Sequence, residues 1–290
     1  MKKACIFIIL FASLVNLAMA QDNLTQLKRK AEMHFHNAEW KDALPTYELI
    51  LSFPNADISS YINAIITSLE LDTLPVAIKW VENALLNQIS LDTLLTKTEV
   101  QTRQLDTSHH FEKLLLGLKQ EIPDLSPRIN QYLSQYYQFR HQYTKQIDVL
   151  HEMIDKSPRN ISLIKEIAFA FYNNGDSENA LAHFEEVLIY APDDLEANLF
   201  MGSYYYIKGK EKMTKLYEAY HNIPTPNRMQ FAQYRRGREE VKDHELALAS
   251  KYMNQANQVK STKAIRDILY DIYVLNSDVE KAEMLKRRSK

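Results

Sequence analysis

The stretch NNGDSENALAHFEEVLIYAPDD, residues 173–194, decides how the rest of the chain is read. It crowds His183 together with Asp176, Glu178, Glu185, Glu186, Asp193 and Asp194. That residue set suits a metal or acid–base site, and it equally suits the water-facing side of a helix with its caps. Extending the stretch upstream to Ile161 separates the two readings. Ile164, Ile167, Ala168 and Phe171 precede a break at Asn174-Gly175-Asp176, and Ala180, Phe184, Val187 and Leu188 follow it. Each set recurs at three- and four-residue steps, one apolar stripe on a helix. Gly175 can end the first helix in a left-handed turn, Asp176 or Ser177 can cap the second, and Pro192 stops it. The unit is a helical hairpin. Glu185 and Glu186 fall on its wet face, Asp193 and Asp194 sit where an acid suits the next helix N-terminus, and His183 with Glu186 is a surface pair.

The same unit recurs. Pro158, Pro192 and Pro226 are 34 residues apart, as are Gly175 and Gly209, Ala43 and Ala77, and Tyr172 and Tyr206. A fixed period of this length marks stacked supersecondary units. The pattern of Ile164, Ile167, Ala168, Phe171, Ala180, Phe184 and Pro192 resembles a tetratricopeptide repeat, with Val187 larger than that family prefers at its position. Neighbouring units resemble it less closely. Residues 127–160 keep Leu133, Ser134, Tyr137, Leu150 and Pro158 but place Gln146 where Ala is usual. Residues 24–57 supply Leu27, Ala31, Ala43, Tyr47 and Ile50, and 58–91 supply Tyr61, Ala64, Ala77, Val81 and Ala84. Residues 92–126 are similar to a degenerate bacterial variant, through Asp106, Phe111, Leu114 and Leu115. Residues 195–228 keep Met201, Gly202, Tyr205 and Gly209 before MTKLYEAYHNIPTP drifts, and 230–263 fits after one inserted residue, through Gly237, Ala249, Met253 and Ala256. The expectation is an all-α solenoid of about seven stacked antiparallel hairpins, divided as 21–126, 127–228 and 229–290, with the last stretch closing the array by capping helices.

The resemblance also implies where a ligand sits, because the first helix of each hairpin lines a groove. Carried over by position, the groove residues are Arg128, Gln131, Gln135, Gln138 and Phe139, then Ser162, Lys165, Phe169, Tyr172 and Asn173, then Glu196, Leu199, Ser203, Tyr206 and Ile207. Amides, a few cations and exposed aromatics suit a protein or peptide partner. Lys165 stands in register with the family's carboxylate clamp, but Phe169 occupies the place of its Asn.

Residues 1–20, MKKACIFIILFASLVNLAMA, read as a secretory signal peptide ending in an A-x-A site, with an uncleaved anchor as the alternative. Cleavage removes Lys2, Lys3 and Cys5 and leaves a chain without cysteine, formally −4. An exported chain of that kind depends on packing alone, and it has no thiolate to offer to catalysis or to a metal. Its slight acidity argues against nonspecific nucleic-acid binding. No other run is long and apolar enough to span a bilayer, so no membrane insertion is expected after cleavage.

Chemistry is scarce. GxSxG, HExxH and phosphate-binding glycine patterns are missing, and His34 and His36 point to different sides of a helix. The sequence therefore implies no catalytic set, no metal and no cofactor. It points to a noncatalytic exported scaffold for protein partners. A structural part in a cell-envelope assembly, or a carbohydrate-binding or enzymatic role in residues 210–290, are the alternatives.

Overall fold

The computed structural model describes residues 23–54 and 56–288. The signal-peptide reading of residues 1–20 lies outside them. The described residues contain helices and no strand. They fall into two compact units that meet at Tyr136 and Tyr137. The first unit contains α1 (residues 23–36), α2 (Trp40–Leu51), α3 (Ile58–Glu70), α4 (Leu74–Leu86), α5 (Leu91–Gln104) and α6 (Ser108–Glu121). A 3-10 turn, Pro123–Leu125, leads into α7 (Ser126–Phe139), which carries the chain into the second unit. There follow α8 (Tyr143–Lys156), α9 (Ile161–Asn173), α10 (Ser177–Tyr190), α11 (Leu195–His221), α12 (Arg228–Val241), α13 (Ala247–Val259), α14 (Lys263–Leu275) and α15 (Val279–Arg288). No described helix is long and apolar enough to cross a membrane.

A left-handed residue sits between the two helices of each of the first five hairpins. Ala38, Asp72, Asp106 and His141 have φ of 57°, 57°, 58° and 56°, and Gly175 has 86°. They are spaced 34, 34, 35 and 34 residues apart. The amide after each one donates back across the turn: Glu39 to the His34 carbonyl, Thr73 to Ser68, Thr107 to Thr102, Gln142 to Tyr137 and Asp176 to Phe171, at 2.8–2.9 Å. This is the Schellman closure of a helix. Each donor is also the N-cap of the following helix. One residue thus closes one helix and opens the next, and no loop intervenes.

The expected core positions are filled. Ala31, Ala43, Ala77, Ala168 and Ala180 are fully buried, so facing backbones approach closely. Gln146, which replaces Ala, is buried as well. Several tyrosines hold the seams of the first unit. Tyr47 and Tyr61 are buried, and their hydroxyls accept from Asn63 and Asn87 at 2.9 Å. Burial pushes the Tyr47 hydroxyl up to about 12.

The unit beginning at Leu195 departs from expectation. Gly209 falls where the next left-handed turn belongs, yet α11 runs through it without a break for 27 residues. The reading of 195–228 and 230–263 as two hairpins therefore gives way to one long hairpin. Its second side is α12, a π turn at Lys242–Leu246, and α13 in unbroken succession. The single inserted residue that the sequence requires is absorbed by that π turn. Pro226 does not end a repeat; it lies between α11 and α12, at the hairpin tip.

The two sides close tightly. A Cβ on Gly202 would come within 2.8 Å of Met253 Cγ, one on Gly209 within 2.8 Å of Leu246 Cδ2, and one on Gly237 within 2.8 Å of Leu216 Cδ2. Gly202, Gly209 and Leu216 recur every seven residues along α11, the seam spacing of paired helices. At the base, Ala249, Met253 and Ala256 are buried as Ala180, Phe184 and Val187 are in the clear repeat. Ala249 lies 54 residues after Leu195, where Ala180 lies 19 after Ile161, a difference of 35. The first part of α11 with α13 is thus one repeat, and about 35 residues of helical hairpin are inserted into its turn. Helices α14 and α15 close the array, with Ile265, Leu269, Ile272, Tyr273 and Ala282 joined to Met253 and Ala256 in one core.

A Cβ on Gly202 would also lie 3.1 Å from the Met253 backbone nitrogen, which has little room to move. Gly202→Ala is expected to lower stability by up to about 2 kcal/mol, overpacking of ~1–3 kcal/mol against ~1 kcal/mol of gained helix propensity. Urea denaturation followed by circular dichroism measures the difference.

Candidate functional site

In the second unit a line of rings joins α9, α10 and α11. Phe200 on α11 is the hub. It stacks on Phe184 at 4.1 Å between centroids, meets Phe169 edge-on at 5.8 Å, and meets Tyr172 edge-on at 4.9 Å. Tyr204, one turn later, lies near-parallel to it at 6.5 Å. Such edge-to-face and offset arrangements are the favoured ones for rings. Phe184 is fully buried and anchors the set to the core, whereas Tyr172 remains 45% exposed.

Two hollows open beside these rings. One, of about 530 Å³, is lined by Lys165, Phe169, Asp194, Glu196, Leu199, Phe200 and Ser203 among others. The second, of about 680 Å³, is lined by Phe169, Tyr172, Asn173, Ser177, Phe200, Ser203, Tyr204, Ile207, Lys208 and Glu211. They share Phe169, Phe200 and Ser203 and so form a continuous strip. Its floor is aromatic and its edges are polar, and the Lys208 ammonium lies 5.6 Å from the Tyr204 ring.

The structure brings Phe169, Tyr172, Asn173 and Leu199 together at this strip, as the sequence positions imply. Lys165 lies in its wall but is engaged, 3.0 Å from both Asp194 and Glu196. Partial burial pulls the ammonium down, and its bonds to Glu196 and Asp194 more than offset that, holding it above its ordinary value. Tyr206 turns away from the strip. Its hydroxyl donates to Asp271 on α14 at 2.8 Å and accepts from Lys210 at 3.1 Å. Gln138 is exposed in the second unit. Arg128, Gln131 and Gln135 belong to the first, where Arg128 Nε bonds Asp92 at 2.7 Å and its Nη1 bonds Gln131 at 2.9 Å. Phe200 and Tyr204 were not among the carried-over positions. They are spaced i, i+4 and directly follow Leu199 and Ser203, which was the available signal.

The acidic stretch 173–194 resolves into caps and pairs. Asp176 accepts from the Asn179 amide at 3.1 Å and Asp194 from the Ala197 amide at 2.8 Å. His183 stacks on Phe171 at 5.4 Å, with its Nδ1 3.5 Å from Glu186. In the first unit His34 pairs across the turn with Glu39 at 2.5 Å, and Asp42 brings a third ligand atom within 4.8 Å of the others. Glu39 and Asp42 reach His34 because the chain reverses at the left-handed Ala38, which helix spacing along α1 does not reveal. Glu39 and Asp42 are exposed, and the His34 bond accounts for the lowered Glu39 carboxyl.

No family model and no curated protein matches the chain. Solved structures do. A Bacteroides ovatus ATCC 8483 protein given as protein-binding aligns over 77% of this chain and 99% of its own, at 20% identity and a TM-score of 0.50. A TPR repeats protein from Bacteroides fragilis NCTC 9343 aligns over 87% of this chain and 98% of its own, at 14% identity and a TM-score of 0.38. A TPR repeat-containing protein from Cytophaga hutchinsonii covers 89% and 98%, at 14% identity and a TM-score of 0.36. The chain has a tetratricopeptide-type all-α solenoid fold, carried above all by its own hairpins and their 34-residue turns.

Two measurements probe this geometry. Phe200→Ala is expected to cost about 2–3 kcal/mol through the ring cluster, and the half-exposed Tyr172→Ala less than about 1 kcal/mol. Chemical denaturation of both variants checks the ranking. Burial is the main reason the His183 imidazole is held below its ordinary value, with His151 adding to it and Glu186 opposing. The folded state thus prefers neutral His183, so its contribution is complete above the unfolded value of about 6.5 and is lost as pH falls through the lower folded value. The melting temperature is expected to drop between pH 7.5 and 5.5, and less so in His183→Gln.

Proposed function

We propose that the chain is an exported, noncatalytic scaffold that holds an extended segment of a protein partner along the α9–α11 strip. The observation that carries this reading is the Phe200 hub. Phe169, Tyr172 and Tyr204 are held against it by ring packing, so the apolar surface is formed before any ligand arrives. A preformed surface loses little conformational freedom on binding. Aromatic anchors ringed by Asn173, Ser177 and Ser203 suit alternating side chains and backbone amides of a peptide.

The titratable groups at the strip support a binding role. Asp194 caps α11 and pairs with Lys165, so neither is poised as a free acid, base or nucleophile. The structurally similar Bacteroides ovatus protein given as protein-binding is consistent with a scaffold. Export rests on the N-terminal sequence, MKKACIFIILFASLVNLAMA.

Pull-down from a cell-envelope fraction, followed by titration of the recovered segment as a peptide, tests the reading. Tyr172→Ala combined with Tyr204→Ala is expected to weaken binding by about 10- to 100-fold, while the fold persists. Unchanged affinity in that double variant would remove the strip as the binding surface.

A further inference from the structure

The hairpin inserted at Gly209 joins the array only near its base, where Met213, Val241 and Leu246 pack with Leu275 of α14. Its outer half, residues 214–238, comprises the end of α11, the tip HNIPTPN and most of α12. Within its unit α12 packs on α11 and on its own π turn, without an extensive contact to any other helix. Tyr220 and Tyr234 stack at 4.6 Å with ring planes 9° apart, and Phe231 lies against Tyr220 at 6.1 Å. The capping box at Asn227 and Gln230 fixes the start of α12. The tip is therefore ordered by its own contacts.

Its surface combines two properties. Tyr217, Met229 and Phe231 are 54%, 67% and 46% exposed. Residues 214–238 hold Lys215, Arg228, Arg235, Arg236 and Arg238 against Glu218, a net of +4, with Glu239 and Glu240 directly following, in a chain whose formal net charge is −2. Arg236 bonds Glu240 at 3.0 Å, and Arg238 lies over the Tyr234 ring at 5.7 Å. Lys215, Arg228 and Arg235 are in no ion pair among the described residues. Arg228 and Arg235 are seven residues apart on one face of α12, with Phe231 and Ala232 between them. Unpaired cations flanking exposed rings at the end of a helical hairpin match the interfacial zone of a lipid bilayer, where rings sit at headgroup depth and cations meet phosphate.

We propose that the tip of the α11–α12 hairpin docks on an anionic phospholipid surface. Lys215, Arg228 and Arg235 face the headgroups, and Met229 and Phe231 enter the interface without spanning it. The charge complementarity selects this occupant. The inference is independent of the α9–α11 strip, since no residue at 214–238 lines either hollow.

Vesicle co-sedimentation of the full chain tests it, using phosphatidylcholine vesicles with and without about one third phosphatidylglycerol. The acidic vesicles are expected to bind more tightly, and salt to weaken the difference. Arg228→Ala with Arg235→Ala is expected to weaken binding by about 25-fold, near five-fold per charge. Met229→Ser with Phe231→Ser is expected to reduce it on acidic vesicles at every salt concentration. Circular dichroism confirms folding of these surface variants. Binding through the apolar N-terminal segment is separated because it appears on neutral vesicles and ignores tip substitutions. Equal binding to both vesicle types, or no effect of the arginine pair, overturns the proposal. Capture of polyglutamate or of a single-stranded oligonucleotide through Arg228 and Arg235, without vesicle binding, overturns it too and gives the tip to that polyanion.

Discussion

The structure depends on a shared residue at each hairpin turn. Glu39, Thr73, Thr107, Gln142 and Asp176 each donate backward to close one helix and stand at the N-cap position of the next. The left-handed residue before each makes that geometry possible. With no loop between the helices, their relative angle is set by backbone hydrogen bonds. The small buried residues Ala31, Ala43, Ala77, Ala168 and Ala180 then let each pair close. Stacking follows from these two constraints, because each hairpin alone leaves an apolar face uncovered.

The sixth turn shows what happens when the constraint is lifted. Gly209 is the residue best able to turn left-handed, yet it stays helical and serves as a close-contact point for Leu246. Glycine is permissive and does not compel a turn. The chain continues outward, returns through α12, and restores the repeat at Ala249, Met253 and Ala256. Exit and return lie beside each other at Gly209 and Leu246, so the insertion leaves the base of the unit undisturbed.

Much of this was legible in the sequence. Gly175 and Pro192 belong to the 34-residue spacing, and the residues at the places of Ala180 and Phe184 in other units, Ala43 and Tyr47, Ala77 and Val81, Gln146 and Leu150, are buried. The turns were legible only at Gly175. Ala38, Asp72, Asp106 and His141 adopt the same conformation, but their identities do not announce it, since the cost is met by the closing hydrogen bonds. Pro226 misled because it repeats the spacing by coincidence inside an insertion. Helix position accounts for where Phe169, Tyr172, Asn173 and Leu199 lie in the strip. It did not predict that Asp194 and Glu196 hold Lys165, or that Asp271 draws Tyr206 aside. Those depend on side-chain pairings between helices, which a position-by-position reading does not contain.

The π turn at Lys242–Leu246 has a geometric consequence. One added residue in a helix advances the azimuth of everything beyond it by about 100°. Base and tip of the returning side are therefore in different rotational phase with respect to the sequence. Ala249, Met253 and Ala256 keep the phase that seats the repeat, while Tyr234 and Gly237 take the phase that meets Tyr220 and Leu216. The π turn acts as a phase coupler: it lets two segments with separate packing demands share one continuous rod.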